Sequence, residues 1–150
     1  MRPPLVRVFL AGRPEITPES SLATMFHILA EEAGSQCWLL AQSGEYDPGP
    51  LPEIDTPALV FATALTLHHL IEDGTLPRLP QGSWVFQTGG YKGLKTTYDQ
   101  DALYERIGCS LGVSPERILN EYGMTELSSQ AYSLGPVSYT HLTLPTTPYV

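Results

Sequence analysis

The sequence has few cysteines, few basic residues and no long apolar run. Its two cysteines, Cys37 and Cys109, lack CxxC spacing, which excludes a disulfide framework and a cysteine-based zinc site. Eight Lys and Arg against sixteen Asp and Glu give a net charge of −8, so nucleic acid is not an expected partner. No apolar run reaches the roughly 20 residues that a membrane-spanning helix needs, and no signal peptide is recognisable. We therefore expect a cytoplasmic protein with no membrane span.

The chain has enough apolar material for one compact domain, with 42% hydrophobic residues in 150. Its last stretch, VSYTHLTLPTTPYV, breaks from the rest because it has four threonines and no Asp, Glu, Lys or Arg. The run VSYTHLTLPT resembles the translation of a transposase-type sequencing adaptor. We therefore predict that residues 136–150 are a non-native tail without function and that residues 1–135 form the domain.

Short apolar runs alternate with helical patterns along the domain. A helix is predicted from Thr17-Pro18 to Gly34, a short helical turn opens at Ser114-Pro115-Glu116, and the stretch that ends near Tyr132 is interpreted as helical. Between these lie the predicted strands Cys37–Ala41, Ala58–Ala62 and Trp84–Gln87, a helix through Leu65 and Ile71 closed by Gly74, and a helix from Asp99 to Gly112. Such alternation predicts an α/β fold with a mainly parallel sheet and helices on both faces.

Two segments combine glycine with polar side chains at places where ligands bind in parallel sheets. The segment TGGYKG (88–93) directly follows the predicted strand Trp84–Gln87, and YGMTE (122–126) comes about thirty residues later. Paired glycines let the backbone approach a ligand closely, and Lys92 offers a cation to an anionic ligand. Because ligands bind outside the carboxyl ends of parallel strands, we expect both segments to be loops that meet at one edge of the sheet.

YGMTE resembles the YGxTE motif of the adenylate-forming enzymes, the superfamily of acyl-CoA synthetases, insect-type luciferases and peptide-synthetase adenylation domains. TGGYKG stands where that superfamily carries a Ser-Gly-Gly-Ala-Pro-like segment. The finer match, VFQTGGYKG followed by a helix and NEYGMTELSSQAY, is to the LuxE-type acyl-protein synthetases of bacterial long-chain acyl reductase complexes. This resemblance is firmest over residues 84–132, and it implies that the domain is part of the large N-terminal domain of an adenylate-forming enzyme.

The resemblance implies an ATP-dependent ligase that activates a long-chain fatty acid. The acid attacks ATP to give acyl-adenylate and pyrophosphate, and the acyl group then passes to a protein cysteine. ATP and Mg²⁺ are the implied cofactors, and acyl-reductase and acyl-transferase subunits are the implied partners. Within the same class, an aryl-CoA or acyl-CoA ligase of the phenylacetate-CoA ligase type is the alternative; outside it, the alternative is a nucleotide-binding module without chemistry.

By the same resemblance, both segments supply residues to a nucleotide pocket: Gly89, Gly90, Tyr122, Gly123, Met124 and Thr125. Thr125 is expected to bond the α-phosphate, and Glu126 is expected to hold Mg²⁺, a hard cation that prefers carboxylate and phosphate oxygens. These two residues are the implied catalytic pair. Lys92 corresponds to no superfamily-wide catalytic lysine.

The sequence also departs from the superfamily pattern. It has no Ser/Thr/Gly-rich phosphate loop upstream of Trp84, no Thr-Gly-Asp segment downstream, and no cysteine after YGMTE to accept the acyl group. We therefore expect a fragment of the large domain that is itself catalytically inactive, because phosphate donors and a closed site are needed for the chemistry.

Overall fold

The fold is seen in a computed structural model that describes seven stretches of the chain. The described residues are 6–11, 15, 18–32, 36–38, 54–89, 100–124 and 129–135. Within these stretches, only the backbone is described for residues 36–38, 100, 122–124 and 129–131. The predicted tail, 136–150, lies outside them.

Six strands and three helices make up the described structure. The strands are β1 (Val6–Leu10), β2 (Gln36–Trp38), β3 (Ala58–Thr63), β4 (Trp84–Thr88), β5 (Ile118–Met124) and β6 (Ser129–Leu134). The helices are α1 (Ser21–Glu31), α2 (Ala64–Glu72) and α3 (Gln100–Leu111), and a 3-10 turn spans Pro115–Arg117. Among the residues that the structure describes, no helix is long and apolar enough to cross a membrane.

The strands form one sheet in the order β2-β1-β3-β4-β5-β6. Neighbouring strands are parallel except for β5 and β6, which are antiparallel. Helices separate most of the parallel neighbours, as parallel connections require. The α/β fold with a mainly parallel sheet is therefore confirmed.

Each face of the sheet has its own core, because successive side chains along a strand point to opposite faces. On one face α1 packs through Phe26 against Phe9 of β1 and Phe61 of β3; the Phe9 and Phe61 rings stack with centroids 4.9 Å apart. On the other face the buried side chains of α2 and α3 pack against those of the strands, in a cluster that includes Val60, Leu67, Val85, Leu103 and Ile107. Helices thus cover both faces, as predicted.

Helix α1 begins later than predicted. Its N-cap is Ser20, whose Oγ accepts a hydrogen bond of 3.2 Å from the backbone N–H of Ala23. Ser is at least as good an N-cap as Thr, so the second of two available caps is used. The predicted start at Thr17 and end at Gly34 lie outside the described residues, and α1 ends at Glu31.

The ends of the sheet differ most from expectation. β1 was not predicted as a strand, and the helical interpretation up to Tyr132 is wrong because β6 is a strand paired antiparallel with β5. The remaining elements match: α2 and α3 end before Gly74 and Gly112, whose φ values of 64° and 72° suit glycine at a helix end. The proposed cap Asp99 and residues 39–41 of the predicted strand Cys37–Ala41 lie outside the described residues.

Candidate functional site

The two glycine-containing segments leave the sheet from paired positions. β4 and β5 are parallel neighbours, and their last paired residues are Thr88 and Glu121. Thr88 and Glu121 are 33 positions apart in the sequence but lie side by side in the sheet. Gly89 and Tyr122 are the next residues on the two strands. Gly89 and Tyr122 therefore stand at the ends of one register pair, whereas Gly90 lies outside the described residues and the meeting of the two segments beyond this point stays a prediction.

Tyr122, Gly123 and Met124 do not form a loop, which corrects the prediction. They continue β5 beyond the end of β4, and β6 holds them through the pairs Tyr122↔Ala131, Gly123↔Gln130 and Met124↔Ser129. The hairpin partner explains the extra strand length, because it supplies the ladder that β4 no longer provides. Among the described residues, the opposite edge of these three residues has no strand partner.

Gly89 turns the chain away at the end of β4. Its φ is 79°, a conformation that L-residues other than glycine rarely adopt. A Cβ built on Gly89 meets no atom within 4 Å. The backbone at this point therefore has open space beside it and can be approached closely by a ligand.

A buried carboxylate lies directly beneath the two segments. Glu121 is 8% exposed, and its carboxylate accepts a hydrogen bond from the hydroxyl of Thr88, which is 4% exposed. Both side chains lie on the sheet face that α1 also covers, two residues along from Phe86 and its register partner Leu119. The sequence analysis missed this pair. Two polar residues at the ends of apolar strands were the available signal.

The opposite face carries a row of buried polar side chains. Gln87 of β4 pairs with Asn120 of β5, which pairs with Ser133 of β6. The side chains of Gln87 and Asn120 are 3% and 6% exposed, and the Gln87 Oε1 and Ser133 Oγ atoms have no hydrogen-bond partner within the described part of the chain. Buried polar atoms are normally hydrogen-bonded. Gln87 thus places an acceptor one residue before the Thr88–Glu121 pair.

Other predicted site residues fall outside the described residues: Gly90, Lys92, Thr125 and Glu126. Where residues are described, no three His, Cys, Asp or Glu side chains lie close enough together to hold a metal ion. The predicted Mg²⁺ ligand, Glu126, follows the last described residue of β5 by two positions.

A second location at the same edge of the sheet also fits the general rule for ligand binding. β1 leads to α1 on one face and β3 leads to α2 on the other, so the strand order reverses between β1 and β3. Thr63 ends β3 and caps α2, and its Oγ1 accepts a hydrogen bond of 3.1 Å from the backbone N–H of Thr66. This crevice is two strand spacings, roughly 10 Å, from the β4–β5 gap.

No family model matches the chain, and no curated protein or solved structure is significantly similar to it. The two segments and their common position at the carboxyl ends of β4 and β5 are therefore the features that bear on function.

Proposed function

We propose that this chain carries part of the nucleotide site of an ATP-dependent ligase of the LuxE type, which activates a long-chain fatty acid and transfers it to a protein cysteine. One observation supports the proposal above the others. The segments that resemble two motifs of adenylate-forming enzymes begin side by side at the carboxyl ends of paired parallel strands. Ligands bind at that edge of open α/β sheets.

The described backbone suits a flat adenosine group. Gly89 has open space beside it, and in the proposed site the edge of Tyr122–Met124 opposite β6 offers backbone hydrogen bonds to polar ring atoms. In the proposed site Gly90 extends the wall formed by Gly89, as the resemblance implies. A side chain at Gly89 would occupy part of this open space.

In the proposed reaction, the fatty acid carboxylate attacks the α-phosphorus of ATP and pyrophosphate leaves. Thr125 would donate a hydrogen bond to the α-phosphate, and Glu126 would hold a Mg²⁺ ion, which would supply neutralisation of the phosphate charge. A cysteine thiolate then attacks the acyl carbonyl and AMP leaves with its phosphate. Positioning and charge neutralisation carry most of such phosphoryl chemistry.

Calorimetric titration of the chain with a non-hydrolysable acyl-adenylate analogue, and separately with AMP, tests the proposal. We expect the analogue to bind at least about tenfold more tightly than AMP, which corresponds to about 1.4 kcal/mol from the acyl group. GMP serves as the control for recognition of the adenine base and should bind more weakly than AMP. Equal affinity for the analogue and AMP would instead indicate a nucleotide-binding module, and no binding of either would contradict the proposal.

A further inference from the structure

The Thr88–Glu121 hydrogen bond lies where the pairing of β4 with β5 ends. It joins the last paired residues of β4 and β5, and both side chains are more than nine-tenths buried. Directly beyond it, the chain turns at Gly89 on one strand and continues as Tyr122 on the other. Whatever holds these two side chains together also fixes the separation of the two segments.

Thr88 also pairs with Thr63 of β3, and Glu121 with Tyr132 of β6, so each residue lies in a ladder on its outer side; between β4 and β5 the backbone ladder has no further pair beyond this point. β4 ends here, so the ladder between β4 and β5 stops at the pair Thr88↔Glu121. Strand ends open more readily than strand centres, because backbone hydrogen bonds there have fewer neighbours. The side-chain hydrogen bond from Thr88 to Glu121 adds a second link between the two strands at this end, and because it is shielded from water it is stronger than an exposed one and resists this opening.

We propose that Glu121 is a positioning residue that, through Thr88, clamps the carboxyl ends of β4 and β5 and sets the spacing of the nucleotide-binding segments. The inference rests on the proposed function for the identity of the ligand, but the clamp itself is a property of the free protein. Glu121 touches no reacting atom in this role. It acts through the hydroxyl of Thr88.

The chemistry of the clamp predicts which substitutions preserve it. Glu121→Gln retains an oxygen that accepts from the Thr88 hydroxyl, and Thr88→Ser retains the donor. Thr88→Val keeps the side-chain shape but removes the donor and leaves a buried carboxylate without this hydrogen bond. The double variant Thr88→Val with Glu121→Leu removes both polar groups, which restores much of the folding stability without restoring the bond.

Amide hydrogen exchange measured by NMR on the ligand-free chain tests the clamp. We expect Thr88→Val and the double variant to raise exchange at residues 87–89 and 121–123 at least about tenfold relative to β1 (Val6–Leu10). Thr88→Ser and Glu121→Gln should stay within about threefold of the original chain. The control Ser133→Ala removes a buried hydroxyl on the opposite face that has no hydrogen-bond partner in the described structure, and it should leave this exchange unchanged.

Two results would overturn the clamp. One is unchanged local exchange in the double variant, which should fold even if Thr88→Val does not. The other is a Glu121→Gln variant that opens as much as Thr88→Val, because a side chain that still accepts from the Thr88 hydroxyl would then not hold the two strands together. A parallel titration of the original chain with AMP separates the clamp from the proposed function. If the variants show raised exchange but the original chain does not bind AMP, the clamp is supported and the nucleotide site is contradicted.

Discussion

Two glycines of the chain allow a controlled test of whether Gly89 serves a ligand or only a turn. Gly89 and Gly74 both have positive φ, at 79° and 64°, and a Cβ built on either meets no atom within 4 Å. Gly74 lies at the end of α2, away from the β4–β5 gap. The two sites therefore impose the same backbone conformation and differ in their proximity to the proposed pocket.

Alanine at either position should destabilise the fold by a similar amount. The left-handed conformation costs a non-glycine residue roughly 1–2 kcal/mol. Replacing glycine also lowers the entropy of the unfolded chain, which offsets about 0.4–1 kcal/mol of that loss. We expect a net decrease of about 1 kcal/mol in the free energy of unfolding for both Gly89→Ala and Gly74→Ala, and a smaller one for Gly89→Asn, because Asn tolerates this conformation.

Binding should separate the two variants. Gly89→Ala places a methyl group in the open space next to the Gly89 backbone, where the ligand is proposed to approach, so we expect its affinity for an acyl-adenylate analogue to fall about tenfold, or about 1.4 kcal/mol. Gly74→Ala should bind the analogue as the original chain does. Urea denaturation and calorimetric titration measure the two quantities. Equal binding by both variants would refute a ligand role for Gly89, and no loss of stability in either would refute the conformational reasoning.

The remaining predictions concern the core, pH and catalysis. Phe61→Ala removes the ring that stacks on Phe9 of β1 and contacts Phe26 of α1, and it should lower the free energy of unfolding by about 3–5 kcal/mol in urea denaturation; a loss below about 1 kcal/mol would show that this face is not packed as described. The hydrogen bond and charge of the Arg106 guanidinium lower the pKa of Glu72, so their contribution to stability is present above the ordinary carboxylate pKa and is lost as pH falls through the lowered value. Arg106→Gln should therefore flatten the acid limb of the stability–pH curve, and an unchanged limb would contradict this. In a full-length parent enzyme, Thr125→Ala and Glu126→Gln should each slow fatty-acid-dependent pyrophosphate exchange about a hundred- to thousandfold; normal exchange in both would make the motif structural.

The sequence predicts the central elements of the fold because each carries its own local signal. β3 and β4 are continuous apolar runs, and α2 and α3 end in glycines with positive φ. β1 was harder to recognise because Arg7 interrupts its apolar run. In the fold this guanidinium donates to the carbonyl of Leu29 at the end of α1, a contact that only tertiary structure reveals.

The sequence identified the segments of the candidate site, but it did not predict how their residues are arranged in space. Its glycines stand in the sequence, but the extension of β5 through Met124 depends on pairing with β6, whose residues have no strong local pattern. The contact of Thr88 with Glu121 depends on strand register, because a shift of one residue would turn one of the side chains to the other face. Periodicity within a strand cannot supply that register.

The central claim, that a nucleotide binds at the carboxyl ends of β4 and β5, is tested most directly by NMR chemical-shift mapping with the acyl-adenylate analogue. We predict that the largest saturable amide shifts fall on Gly89, Tyr122 and Gly123. The crevice between β1 and β3 provides the internal comparison, with Ala11 and Thr63 at its rim. Shifts concentrated on Ala11 and Thr63, or no saturable shifts at all, would contradict the claim.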